Sequence, residues 1–136
     1  MSNQSNQALK ILIIDDHDAV IGGTKEAIAS NYPDADLQLA KNAQEATEKL
    51  NSFTYNLVIT DLSIPERVGE RPKPEVGIKL LKSMLDSYPH LNIVVQSADA
   101  RALIRLRLQI YEHEGGFTVV DKGESLKQML AKVDWS

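Results

Sequence analysis

Apolar and polar residues along this chain fall into two alternating rhythms. Ile11-Leu12-Ile13-Ile14 and Leu57-Val58-Ile59 are short, unbroken and rich in β-branched residues. Runs of this kind read as parallel strands buried on both faces. Between such runs lie stretches whose apolar residues recur three and four apart, as on one face of a helix. The pattern predicts strands over residues 9–14, 37–40, 57–60, 92–96 and 117–120, the fourth ending at Ser97. It predicts helices over 19–30, 43–50, 77–88, 100–113 and 125–133. Asn42 stands as an N-cap for the second helix with Glu45 three residues on. In the last helix Leu126, Met129, Leu130 and Val133 follow the i, i+3, i+4, i+7 spacing.

Five strands alternating with five helices imply an α/β fold, a doubly wound five-stranded parallel sheet with helices on both faces. One segment breaks the rhythm. Residues 65–76 hold three prolines and six charges. Proline removes a donor and restricts the residue before it, so a long surface loop is expected there.

At 136 residues the chain suits one domain, spanning 9–134 behind a polar tail of residues 1–8. A chain of this size buries roughly two-thirds of its unfolded surface, so it needs no staples. It has no cysteine, which removes disulfides, thiolate metal sites and thiol nucleophiles. Three histidines leave little for a zinc centre. The net charge of −4 argues against a non-specific nucleic-acid binder. No apolar stretch has the length of a membrane span, and the tail carries no signal-peptide core, so a soluble cytoplasmic protein is expected.

The chemistry sits where the apolar runs end. Asp15-Asp16 follow the first run and Asp61 follows the third strand. In open α/β sheets, ligands bind just beyond the carboxyl ends of the strands. Acids there can hold a hard cation or act as nucleophiles. Taken singly, each has a local reading. Asp61 suits a turn, Asp15-Asp16 a cap, Ser97 the N-cap of the fourth helix, and Lys122-Gly123 a turn with a solvated lysine. Jointly, four strand ends carry these residue types in order. His17 reads as a surface residue beside the pocket. Gly22-Gly23-Thr24-Lys25 lacks the spacing of a phosphate loop and falls inside a helix.

With these residues in view, the chain resembles a response-regulator receiver domain, the phosphoryl-accepting half of two-component signalling. The resemblance covers residues 9–134 and implies a flavodoxin-like (βα)5 fold with strand order 2-1-3-4-5. It implies that Asp61, in Val-Ile-Thr-Asp-Leu-Ser-Ile-Pro, is the phosphoacceptor. Asp16 and Asp61 would then bind Mg²⁺ (or Mn²⁺) directly, Asp15 directly or through water, with the Ser63 backbone carbonyl completing the set. Ser97 would be the switch hydroxyl and Lys122 the phosphate contact. The partner would be a sensor histidine kinase or phosphotransfer protein, and the domain a switch rather than a multiple-turnover enzyme. Asp15-Asp16-His17 followed by Gly23 further resembles receivers of NarL-type regulators. In such a parent, DNA would be bound only by a further domain. The chain stops at Trp135-Ser136, as a single-domain regulator or a receiver fragment would.

Three features depart from the family pattern. Gly77 stands sixteen residues past Asp61, which makes the 65–76 loop long. The fourth helix carries Arg101, Arg105 and Arg107, which could serve a homodimer through helix four, strand five and helix five. The usual switch aromatic is replaced by Val119, with Phe117 two residues earlier on the same strand face. Other functions fit less well. An aspartyl phosphatase would need a second acid where Ser63 stands, and a flavin binder a phosphate loop where Asp15-Asp16-His17-Asp18 stands. A receiver-like interaction module indifferent to phosphorylation remains the alternative that the departures favour.

Overall fold

A computed structural model describes residues 9–97, 100–121, 126 and 130. Its elements run β1 (Lys10–Ile14), α1 (Asp18–Asn31), β2 (Asp36–Ala40), α2 (Ala43–Ser52), β3 (Leu57–Asp61), α3 (Pro74–Ser87), β4 (Asn92–Ser97), a 3-10 helix (Ala100–Leu106), α4 (Arg107–Glu112) and β5 (Phe117–Asp121). The five strands form one parallel sheet in the order β2-β1-β3-β4-β5. This is the expected topology.

Alternation along each strand divides the core. Leu12, Ile14, Val58, Ile93 and Val95 face one side and pack with α2, α3 and the 3-10 helix. Ile11, Ile13, Leu57, Ile59 and Val94 face the other and pack with α1. The expected last helix lies largely outside the described residues. Leu126 and Leu130, four apart, are helical and buried in the α1-side cluster. Among the described residues no helix is long and apolar enough to cross a membrane. The polar tail of residues 1–8 lies outside them.

Two expectations are corrected. The fourth helix is not one α-helix over 100–113; seven residues of 3-10 helix precede six of α-helix. The buried pair Leu103 and Leu106 is spaced by three, which matches three residues per turn. Ile104 and Leu108, though equally apolar, are exposed. The second correction concerns only where the 65–76 segment ends, since the expected surface loop is present over 65–73 and is closed at its base. Ile64 and Lys73 form an antiparallel bridge, with the Lys73 N–H donated to the Ile64 carbonyl at 3.0 Å. Between them the Glu70 N–H reaches the Arg67 carbonyl at 3.2 Å. Gly69 takes φ +85° in that turn, a conformation suited to glycine. Helix α3 then starts at Pro74 rather than Gly77, because proline's fixed φ and missing N–H suit the first helical turn.

Candidate functional site

The sheet register sets the depth of the acids. Ile14 pairs with Thr60, so the residues that follow, Asp15 and Asp61, leave adjacent strands at the same level. Strand alternation turns both to the α1 side, in step with Ile13 and Ile59. Both are buried, at 3% and 4% exposure. A carboxylate so buried must be compensated by donors or cations. Asp15 Oδ1 accepts the His17 backbone N–H at 2.9 Å, and Asp61 Oδ1 accepts the Ser63 N–H at 3.2 Å. Each bond closes a two-residue turn that fixes the acid against its own loop.

Carboxylate oxygens of Asp15 and Asp61 and a ring nitrogen of His17 lie within 4.8 Å of one another. The His17 Nδ1 stands 3.3 Å from Asp15 Oδ1 and 3.2 Å from Asp16 Oδ1. Asp16 Oδ1 is nonetheless buried without a hydrogen bond among the described residues. The imidazole Nδ1 is hydrogen-bonded to Asp15 Oδ1 instead. The Asp15 and Asp61 oxygens with the His17 nitrogen are a donor set that fits a divalent cation, while Asp16 Oδ1 meets the His17 ring and falls outside that group.

Apart from Lys122, the remaining predicted residues lie on β4, on β5 and on the helices between them. Ser97 is buried at the end of β4, one residue beyond the Asp61–Gln96 pairing. Lys122 lies outside the described residues. Phe117 packs partly buried against the α3-side core, while Val119 is 37% exposed. Arg101, Arg105 and Arg107 are exposed on the 3-10 helix and α4.

Two tethers had no signal in periodicity. Gln96 donates from Nε2 to Thr24 Oγ1 at 3.1 Å, a fully buried bond joining β4 to α1 next to Ser97. An amide near the end of an otherwise apolar strand was the only hint. The segment after Asp61 also closes onto α2, whose Ala43 and Gln44 N–H groups donate to the Pro65 and Glu66 carbonyls at 2.9 and 3.0 Å. Farther along, Gly77 meets the Leu62 backbone so closely that a β-carbon would overlap the carbonyl. A cavity of about 540 Å³ opens at the opposite end of the sheet, lined in part by Leu50, Phe53, Tyr55, Tyr88 and Leu91. No carboxylate lines it, so the chemistry, not the volume, selects the acid end.

Comparisons agree with this fold. The family profile described as "Response regulator receiver domain" matches residues 11–134. The transcriptional regulatory protein ComA of Bacillus subtilis is 34% identical over 90 residues, 63% of this chain and 37% of ComA. The chain thus spans little more than a third of that relative. A CheY-like receiver domain protein from Methanospirillum hungatei has the same fold, with TM-score 0.70 and 20% identity, over 93% of this chain and 90% of that one. RcsB from Salmonella enterica serovar Typhimurium, solved bound to a promoter with phosphomimetic BeF3⁻, gives 0.66 and 21%, over 91% and 65%. TrrA from Thermotoga maritima, solved with Mg²⁺ and BeF, gives 0.64 and 22%, over 91% and 97%.

Proposed function

This chain belongs to the response-regulator receiver family, the phosphorylation-regulated signalling domain of two-component systems, and we propose that Asp61 is its phosphoacceptor. The observation that carries this reading is the convergence of buried Asp15 and Asp61 at one level of the sheet's carboxyl end. Receivers of this family bind Mg²⁺ in an acidic pocket and interact with histidine kinases. Asp15, Asp16 and Asp61 are the residues that would hold the ion here, with the Ser63 carbonyl as a further ligand. When bound, the ion neutralises charge among the carboxylates and on the phosphoryl oxygens.

A carboxylate oxygen of Asp61 attacks the phosphorus of a partner's phosphohistidine. The new O–P bond forms as the P–N bond breaks, and the imidazole leaves with a proton. The transferring group is close to metaphosphate, so the residues around it act mainly by position and charge. The Ser63 N–H holds one Asp61 oxygen in place. Ser97 offers its hydroxyl to a phosphoryl oxygen, and Lys122 a point charge to another. A shift of Ser97 toward the phosphoryl group would carry the end of β4, and with it the 3-10 helix, α4 and β5. Phe117, Val119 and the three arginines lie on that readout surface, which a second copy or an output partner would contact. The domain occupies residues 9–134 and works in the cytoplasm as a switch, not as a multiple-turnover enzyme.

Incubation with acetyl phosphate and Mg²⁺ tests this. Intact-mass analysis is expected to show an acid-labile phosphoryl adduct on the wild-type chain and none on Asp61→Asn. An adduct that persists in Asp61→Asn would remove Asp61 from the role of nucleophile.

A further inference from the structure

We propose that His17 is a nitrogen ligand of the acid site, so that the site takes a divalent transition-metal ion as well as Mg²⁺. The inference rests on the reading of Asp15, Asp16 and Asp61 as the metal-holding acids, and adds to it a fourth donor of different chemistry.

His17 occupies the N-cap position of α1, with φ −99° and ψ 112°. Residues in that position ordinarily turn a side-chain oxygen back onto the helix's free N–H groups. The His17 side chain makes no such bond. Its ring instead lies against the acids, Nδ1 standing 3.3 Å from Asp15 Oδ1 and 3.2 Å from Asp16 Oδ1. The backbone on which the ring is mounted is itself fixed, since the His17 N–H donates to Asp15 Oδ1 at 2.9 Å.

The contact to Asp15 is a hydrogen bond, and these separations are also those of ligands sharing an ion. With metal–donor bonds of ~2.0–2.1 Å, neighbouring ligands of an octahedral ion stand roughly 3 Å apart. The third member of the cluster, Asp61, brings an oxygen within 4.8 Å of both other donors. Asp16 Oδ1 has no hydrogen bond to lose on binding an ion.

The donor type decides the preference. Carboxylates and carbonyls suit Mg²⁺ and Mn²⁺, while imidazole suits Zn²⁺, Ni²⁺ and their neighbours. An all-oxygen pocket gains little from a softer ion. A pocket with one imidazole at ligand distance gains affinity for Co²⁺, Ni²⁺ or Zn²⁺ and almost none for Mg²⁺. The ring is about half exposed, so it can reorient toward an entering ion without unpacking the core.

Titration of the whole chain with Mg²⁺ by calorimetry and with Co²⁺ by visible absorption separates this from a mere brace between acids. His17→Ala is expected to weaken Co²⁺ roughly tenfold or more while moving Mg²⁺ by roughly twofold at most. Paramagnetically shifted imidazole proton signals should be lost in the same variant. His90→Ala, at an exposed imidazole paired with Glu114, should change neither affinity. Equal losses for the two ions would make His17 a brace and overturn the proposal, as would unchanged Co²⁺ affinity. The phosphoacceptor reading has its own readout, because the acetyl phosphate adduct and its loss in Asp61→Asn are measured with Mg²⁺ alone and leave His17 untouched.

Discussion

Helix α2 and the 3-10 helix with α4 cover the same face of the sheet, yet they are built in opposite ways. The start of α2 is held on all sides. Asn42, 2% exposed, accepts the Glu45 N–H at 2.8 Å, and Glu45 Oε1 accepts the Lys41 N–H at 2.9 Å. The next two free donors, on Ala43 and Gln44, go to carbonyls of the segment that follows Asp61. These are the groups that a helix start ordinarily leaves unsatisfied. Helix α4 has six residues and no side-chain cap, and it follows an unusually long 3-10 run. Ile104 on the 3-10 helix and Leu108 and Tyr111 on α4 are 59%, 68% and 88% exposed. Elements that move are drawn from the less stable parts of a fold. The contrast places geometry-holding contacts on the α2 and α3 flank, and freedom on the flank beside Ser97.

The strongest test of the fixed flank is Gly77→Ala. Replacing glycine by alanine inside a helix normally stabilises by up to ~1 kcal/mol. Here the added β-carbon overlaps the Leu62 backbone, one residue from Asp61. The expected sign is therefore reversed, with a loss of about 1–3 kcal/mol in denaturant unfolding. Phosphorylation by acetyl phosphate should slow as well, because relief of the clash moves Leu62. A variant as stable as wild type would show that α3 yields easily and that this flank holds nothing in place.

Asn42→Ala probes the same flank through its cap. Loss of that side chain should cost about 1–2 kcal/mol, measured by chemical denaturation. This residue illustrates what was legible in the chain. Asn42 with Glu45 is a local signal, and so are the apolar runs of β1 and β3. Strand order and the levels of Asp15 and Asp61 followed from the family resemblance and the strand ends. The bonds from Ala43 and Gln44 to Pro65 and Glu66 were not legible, because they join residues far apart in sequence through backbone atoms that any residue carries. The bridge within 65–76 was hidden for a related reason, since prolines and charges mask a single antiparallel contact. The 3-10 helix was misread because Leu103, Ile104, Leu106 and Leu108 look equally apolar, and only packing shows which two are buried.

The free flank predicts a smaller number. Serine at Leu108 or Tyr111 should change stability by less than ~0.5 kcal/mol, since little of either side chain is buried. Thermal unfolding of each variant checks this. A loss well above that value would mean that α4 is anchored through these side chains, and the contrast with α2 would fail.

The weakest expected effect lies at the rim where α1 meets the α2 start. Lys41 Nζ donates to Asp18 Oδ1 at 2.9 Å, with both groups exposed to solvent. That hydrogen bond, and then the lysine's charge, lower the Asp18 carboxyl below its ordinary 3.8. The same bond and the carboxylate raise Lys41 above its ordinary 10.5. A lowered acid stabilises the fold above its unfolded value and loses that contribution as pH falls through the folded one. A raised amine contributes below its unfolded value and loses that as pH rises through the folded one. The pair therefore acts across the neutral range and fades at both extremes. Salt should screen it, because exposed pairs contribute little. A carbon-detected NMR titration of Asp18 should show its carboxyl moving up toward the ordinary value in Lys41→Met, and partly so at high salt in the wild type. If Lys41→Met leaves the Asp18 titration where it was, the rim is unlinked, and the fixed flank reduces to the Asn42 cap, the Pro65 and Glu66 carbonyls and Gly77.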